Sequence, residues 1–337
     1  MLRRDWLALT QEDVLEPELE ICDPHHHLWP EPTLRFPRYD LEDLHVDTGA
    51  GHRVVDTVFI DCAASYRSDG PVALRPVGET EFVTKRAVRS EQLEGATIAA
   101  IVSFADMTLG NDVAPVLEAH VAAAGGRFRG IRHVGAWDAS DAIAASHTNP
   151  PPHLYRQDTF RTGLSVLSGM GLSFEAWQYH TQLEEVAELA AAMPDLSIIL
   201  NHIGAPLGIG PYAGKRAEVD PRWRAGMVRL AEFPNITLKV GGIGMSRFGT
   251  DFHTWPAPPT SDQLLERWGD QLRFCIATFG PSRCMFESNF PVDSESCSYT
   301  VLWNAFKKVS ASYSPQERAE LFRGTARRVY RIGPGTA

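Results

Sequence analysis

The run Cys22-Asp23-Pro24-His25-His26-His27-Leu28-Trp29 places two imidazoles, His25 and His27, two residues apart directly after a short apolar segment, Leu19 to Cys22. In an extended chain, residues i and i+2 project to the same side, so the two rings converge on one point at the mouth of a strand. Neutral imidazole is the commonest side-chain ligand for zinc and similar ions, and Asp23 or a backbone carbonyl is placed to fix the ring tautomer. A tag-like histidine cluster fits poorly, because tags are longer and terminal. Histidines that hydrogen-bond in a polar site without an ion are the second reading of the same run.

Composition narrows the class of protein. The 337 residues, 44% of them apolar, suffice for a substantial buried core. The formal charge of −10 is spread along the chain with no basic stripe, which argues against a nucleic-acid partner. The apolar stretch near the start, Trp6 to Leu9, is too short for a signal core or a membrane span. Five cysteines, without CxxC spacing, read as reduced packing thiols. A soluble, cytoplasmic protein is expected, with a small-molecule substrate, no membrane contact and room for a homo-oligomer.

The elements that position the histidines follow a strand-then-helix rhythm. Short apolar runs recur at Leu19–Cys22, Val54–Cys62, Thr97–Phe104, Gly130–Gly135, Leu172–Gln178, Ser197–His202, Ile236–Val240 and Arg283–Phe286. Helical stretches lie between most of them, at Glu79–Leu93, Val113–Ala124, Tyr155–Met170, Leu183–Met193, Pro221–Glu232 and Gln263–Phe279. Near-continuous apolar strands alternating with helices indicate a parallel sheet covered on both faces. Eight of them predict an α/β fold of the (β/α)8 TIM-barrel type, with Tyr299–Lys308 after the last strand and an extra C-terminal helix over Pro315–Arg331. Proline and glycine clusters follow strands rather than marking one boundary, so residues 1–337 are read as a single domain. No GxGxxG turn follows the first strand, which disfavours a doubly wound fold.

A barrel of this kind carries its chemistry at the C-terminal strand ends. There stand His25 and His27; Asp61 and Tyr66; Arg132 and His133; Trp177 and His180; Asn201 and His202; and Ser288-Asn289-Phe290-Pro291. Any one histidine alone is better explained by structure, but their joint placement points to a site.

These residues resemble the amidohydrolase superfamily, and within it the branch of lactonases, 2-pyrone-4,6-dicarboxylate lactonase and metal-dependent decarboxylases. The resemblance rests on Asp23 to Trp29, Phe128-Arg129-Gly130-Ile131-Arg132-His133, Tyr179-His180 and Asn201-His202-Ile203-Gly204-Ala205-Pro206, and it covers nearly the whole chain. It implies that His25, His27 and His180 hold one divalent ion, zinc or manganese, and that His202 faces the substrate carbonyl. It also implies a catalytic aspartate after strand eight. Here the chain departs, with Asn289 at that position. An amide takes no proton at neutral pH and is a weak, uncharged ligand, so the site holds one ion or none. Glu287 and Asp293 flank the turn; their default readings are a buried hydrogen-bonded acid and a loop carboxylate. No lysine marks a bridged two-metal centre at the fourth strand end, and Lys239 reads as structural.

Arg132 presents a planar fork suited to a substrate carboxylate, with an ion pair on the barrel wall as the alternative. Glu79 and Glu81 open a helix, where capping is the default role. Tyr66, Trp177 and neighbouring loop aromatics suit a flat, partly apolar ring. The leading expectation is therefore a hydrolase, specifically a lactonase of a carboxylated cyclic ester, in which His202, His180 and Asn289 act on substrate while Arg132, Tyr66 and Trp177 bind it. A decarboxylase on the same scaffold and a non-catalytic metabolite-binding barrel are the alternatives.

Overall fold

Eight short strands line up in parallel in chain order: β1 (Ile21–His26), β2 (Val54–Ile60), β3 (Thr97–Ser103), β4 (Phe128–Arg132), β5 (Ser173–Ala176), β6 (Ile198–Leu200), β7 (Ile236–Gly241) and β8 (Cys284–Glu287). The computed structural model describes residues 3–34, 36–144 and 148–333. β8 returns to β1 through the backbone: the Asn289 N–H donates to the His25 carbonyl and the His27 N–H to that of Phe290, both at 2.9 Å. The sheet thus curls into a (β/α)8 barrel, as its apolar runs predict. Helices α1 (Leu41–Thr48), α2 (Val77–Ser90), α3 (Ala114–Ala123), α4 (Asp158–Gly169), α5 (Leu183–Ala192), α6 (Arg216–Ala231), α7 (Ser261–Phe279) and α8 (Tyr299–Val309) follow the strands in turn.

Strands buried on both faces explain the unbroken apolar runs. Val58, Ile60, Ala100, Val102, Ile199 and Met285 pack together inside the barrel, whereas Phe59 and Ile101 belong to the layer under the helices. The C-terminal segment closes the floor, with Ala326 and Tyr330 joining the inner cluster. Above that apolar floor the interior turns polar. Lys239 on β7 and Glu175 on β5 are both buried with 2.9 Å between Nζ and Oε2, and the Tyr330 hydroxyl donates to the other Glu175 oxygen. An interior ammonium is tolerable only with such partners.

Several bounds shift, among them the helix expected from Pro221, which starts at Arg216, and the fourth strand, which spans Phe128–Arg132 rather than Gly130–Gly135. The first strand begins later than Leu19 and carries His25 and His26 within it, because Asp23 ties that segment to β8. Its Oδ1 accepts from the Ser288 N–H at 3.0 Å, and its Oδ2 accepts from the Ser288 and Tyr299 hydroxyls at 2.6 and 3.0 Å. The extra C-terminal helix is broken by a π turn over Glu320–Gly324, between Pro315–Ala319 and Thr325–Val329. Helix α1 has no counterpart among the helical stretches expected from the sequence; its signal is the capping box in which Asp40 and Asp43 satisfy each other's backbone. Among the described residues no helix is long and apolar enough to cross a membrane.

Candidate functional site

The turns that leave the barrel interior are held in conformations a side chain rarely adopts. His202, Ile203, Ala205 and Asn289 have φ of 51°, 50°, 50° and 56°. Left-handed backbone at non-glycine residues persists only where surrounding contacts enforce it, and it concentrates at functional sites. The enforcement is visible: Trp223 Nε1 donates to the Ile203 carbonyl at 2.7 Å, and Asn289 Nδ2 donates to Asp293 Oδ1 at 2.7 Å.

His25 and His27 meet as their spacing requires, with Nε2 to Nε2 at 3.3 Å. His27 donates its Nδ1–H to the Ile60 carbonyl at 2.8 Å, which leaves its Nε2 with a lone pair facing His25. Burial pushes both rings well below the ordinary histidine range, so they are neutral, with nearby cations adding to the effect. His25 also packs against His202, ring centres 4.7 Å apart. Its two edges face opposite cations: Arg132 Nη1 lies 3.3 Å from Nε2, and Lys239 Nζ 3.3 Å from Nδ1.

Glu287 is the buried acid of the cluster. Its Oε1 accepts from His202 Nδ1 at 2.8 Å and from the His202 backbone N–H at 3.1 Å. Its Oε2 lies 2.6 Å from His25 Nδ1 but off hydrogen-bonding geometry, so it has no hydrogen-bond partner among the described residues. Burial lowers the His202 pKa, opposed by the adjacent Glu287 carboxylate.

The donors fit a single ion. His25, His202 and Glu287 each offer one ligand atom, all within 4.8 Å of one another. Two nitrogens on one tetrahedral zinc, at bonds of about 2.0–2.1 Å, stand roughly 3.3 Å apart, which is the spacing of the His25 and His27 Nε2 atoms. Arg132 is neutralised by Asp61 and Lys239 by Glu175, so the charge of Glu287 is left for a cation.

A cavity of about 570 Å³ opens on this cluster, lined by His27, Arg132, Trp177, His202 and Asn289 together with Trp29, Phe36, Met245 and Arg247. Trp29 and Phe36 stack with ring centres 4.3 Å apart and make one flat wall. Arg247 stands 5.5 Å over the Trp177 ring and donates to the Tyr179 hydroxyl at 2.9 Å; among the described residues it has no carboxylate partner.

Measured against the sequence expectations, the structure gathers His27, His202, Arg132, Trp177 and Asn289 at one cavity, sets His25 fully buried behind them, and leaves two residues aside. His27 stands beside His25 but outside the metal-competent group of His25, His202 and Glu287, and His180 does not join that group either. Its Nδ1 accepts from the Leu207 N–H at 3.3 Å and its ring packs on Tyr212, because the chain turns outward directly after β5. Tyr66 is half-buried near Glu79 and Asp61 and does not line the cavity. Arg132 follows the alternative reading, an ion pair on the barrel wall: its Nε meets Asp61 Oδ1 at 2.6 Å and its Nη2 the Asp61 carbonyl, leaving Nη1 toward His25. Glu79 is no solvated cap; fully buried, it accepts from the N–H groups of Cys62 at 3.1 Å and Ala64 at 2.7 Å. Trp29, Phe36 and Met245 were not foreseen, although Trp29 follows His27 at the same two-residue spacing.

Comparison with known proteins agrees with this geometry. An uncharacterised protein of Sinorhizobium fredii, y4mH, is 32% identical over 335 residues, covering 94% of this chain and 99% of its own. The L-fucono-1,5-lactonase of Burkholderia multivorans is 27% identical over 332 residues, covering 92% of this chain and 95% of its own. A crystal structure of an amidohydrolase from Burkholderia multivorans with bound zinc superposes with a TM-score of 0.71 at 23% identity, over 93% of this chain and 99% of that one. The amidohydrolase family profile matches residues 22–332, and with the barrel and its strand-end histidines in place the chain belongs to that family of enzymes.

Proposed function

We propose that the protein is a lactonase that hydrolyses a small, carboxylated cyclic ester with a flat, partly apolar ring. The observation that carries this reading is Arg247, a half-buried cation without a carboxylate partner among the described residues, on the wall of the same cavity as the neutral imidazole of His202. A substrate carboxylate answers that cation, and the ring fits between Trp29 and Trp177. The kinship with L-fucono-1,5-lactonase supports ester rather than amide chemistry. Five unpaired thiols accord with a cytoplasmic setting.

His25 and His27 would hold a divalent ion, zinc or manganese, through Nε2, where it would supply Lewis-acid polarisation of the ester carbonyl. His202 has its Nδ1–H bound to Glu287, so its Nε2 is the nitrogen left to take a proton. A water oxygen adds to the carbonyl carbon as its proton passes to His202 Nε2; the carbon to ring-oxygen bond then breaks, and the proton moves from His202 to that oxygen. The product is the open hydroxy acid. Asn289 Nδ2 is committed to Asp293, which leaves its Oδ1 as an acceptor for the attacking water.

The test is hydrolysis of a panel of five- and six-membered lactones, each with and without a ring carboxylate. Turnover confined to carboxylated members supports the reading. An inert panel, or a preference for neutral sugar lactones, refutes it.

A further inference from the structure

Glu287 and the end of β7 are fitted to one another. Glu287 is fully buried, and its Oε1 holds His202 at two points, the ring Nδ1 at 2.8 Å and the backbone N–H at 3.1 Å. The first bond makes Nδ1 the protonated nitrogen, and the second fixes where the ring begins. Opposite stand Gly241 and Gly242. A Cβ on Gly241 would lie 2.3 Å from the Glu287 carbonyl oxygen and 2.5 Å from its Cγ, and a Cβ on Gly242, where φ is +68°, would lie 2.4 Å from His202 Nδ1. Neither clash involves the free end of a flexible chain, so neither could be relieved without moving the pair itself.

We propose that Glu287 is the positioning residue of this site, that it acts through His202, and that Gly241 and Gly242 are the cleared volume that admits the pair. The carboxylate expected at the turn after strand eight, where this chain has Asn289, is supplied from two residues earlier, inside the barrel. Glu287 does not touch substrate; it sets which nitrogen of His202 faces the cavity. The inference rests on His202 serving as base in the proposed lactone hydrolysis, but its structural half, control of the tautomer, is measurable without a substrate.

The experiment uses full-length protein labelled with 15N-histidine, with His202 assigned by loss of its signal in His202→Gln. Long-range proton–nitrogen spectra of the wild type should show His202 protonated at Nδ1 and bare at Nε2. Glu287→Gln keeps an acceptor oxygen and should keep that tautomer, whereas Glu287→Ala should lose it. On a carboxylated lactone, kcat should fall about 100-fold in Glu287→Ala and about 10-fold in Glu287→Gln, with KM within roughly threefold of wild type. Retention of the Nδ1–H tautomer and of turnover in Glu287→Ala would overturn the proposal. Should Glu287→Ala fail to fold, Gly242→Ala, which drives a methyl into His202 Nδ1, gives the same two readouts, and an unchanged tautomer there overturns the proposal equally. If no lactone is hydrolysed, the proposed reaction is wrong and the tautomer alone decides the role of Glu287.

Discussion

Asn289 Nδ2 donates to Asp293 Oδ1 at 2.7 Å, and the other oxygen of Asp293 accepts from the Gly244 N–H at 2.8 Å. Asn289 is thus a donor to a buried acid, and burial drives the Asp293 carboxyl well above its ordinary range. Asn289→Asp would replace the amide donor with a second carboxyl, so that the pair keeps a hydrogen bond only by sharing the Asp293 proton. We expect a stability loss on the order of 1–3 kcal/mol and a fall in turnover, because the second buried acid cannot ionise beside Asp293 without cost and no longer offers the amide donor. Denaturant unfolding and lactone hydrolysis measure the two effects. A clear gain in turnover would mean that the amide is a relic of a lost acid rather than a working part.

The two cavity arginines should respond differently to the same substitution. Arg132 is buried against Asp61, and Arg132→Met leaves that carboxylate without its cation, a loss of about 3–5 kcal/mol in stability. Arg247 gives one hydrogen bond to a neutral phenol, so Arg247→Met should cost roughly 0.5 kcal/mol or less. On a carboxylated lactone its KM should rise by about 10-fold or more at nearly constant kcat, the signature of binding lost equally from ground and transition states. An unchanged KM would remove Arg247 from substrate recognition.

The barrel was legible because its signal is local: apolar runs of strand length alternating with helical stretches. The HxH pair was legible for the same reason, since two residues of spacing fix a common side. The position of His180 was not, because its fate depends on the backbone leaving β5 toward Leu207 and Tyr212, a path no spacing encodes. Nor could strand alternation decide which of Glu287 and Asp293 meets His202. That depended on two absent side chains at Gly241 and Gly242, on another strand. Arg132 shows the limit again: a strand-end guanidinium reads alike whether it meets substrate or, as here, Asp61 from a neighbouring strand.

Glu79 makes stability fall with rising pH. Burial, with Asp61 nearby, pushes its carboxyl from 4.5 up to about 8. The folded chain therefore keeps a proton that the unfolded chain has already lost, and its stabilising contribution disappears as pH climbs between those two values, with no further change above about 8. Glu79→Gln mimics the protonated acid and can still accept from Cys62 and Ala64. The difference in melting temperature, mutant minus wild type, should grow from pH 6 to pH 9. A difference that stays flat would show that the carboxyl is ionised throughout.

Zinc should bind at one equivalent per chain, and the histidines should sort by geometry. The Nε2 atoms of His25 and His27 face each other at 3.3 Å, with the His27 tautomer set by the Ile60 carbonyl, so either His25→Ala or His27→Ala removes half of a two-nitrogen grip. Affinity should drop by roughly 100-fold or more in each. His180 gives its Nδ1 to the Leu207 N–H and packs on Tyr212, and His180→Ala should leave zinc affinity within about threefold of wild type. Calorimetric titration of chelator-treated protein, with elemental analysis for stoichiometry, tests all three. Loss of zinc in His180→Ala would restore that residue to the ligand set. Two equivalents per chain would refute the single site, since Arg132 and Lys239 already flank His25 at 3.3 Å on either edge and leave one carboxylate, Glu287, to balance added charge.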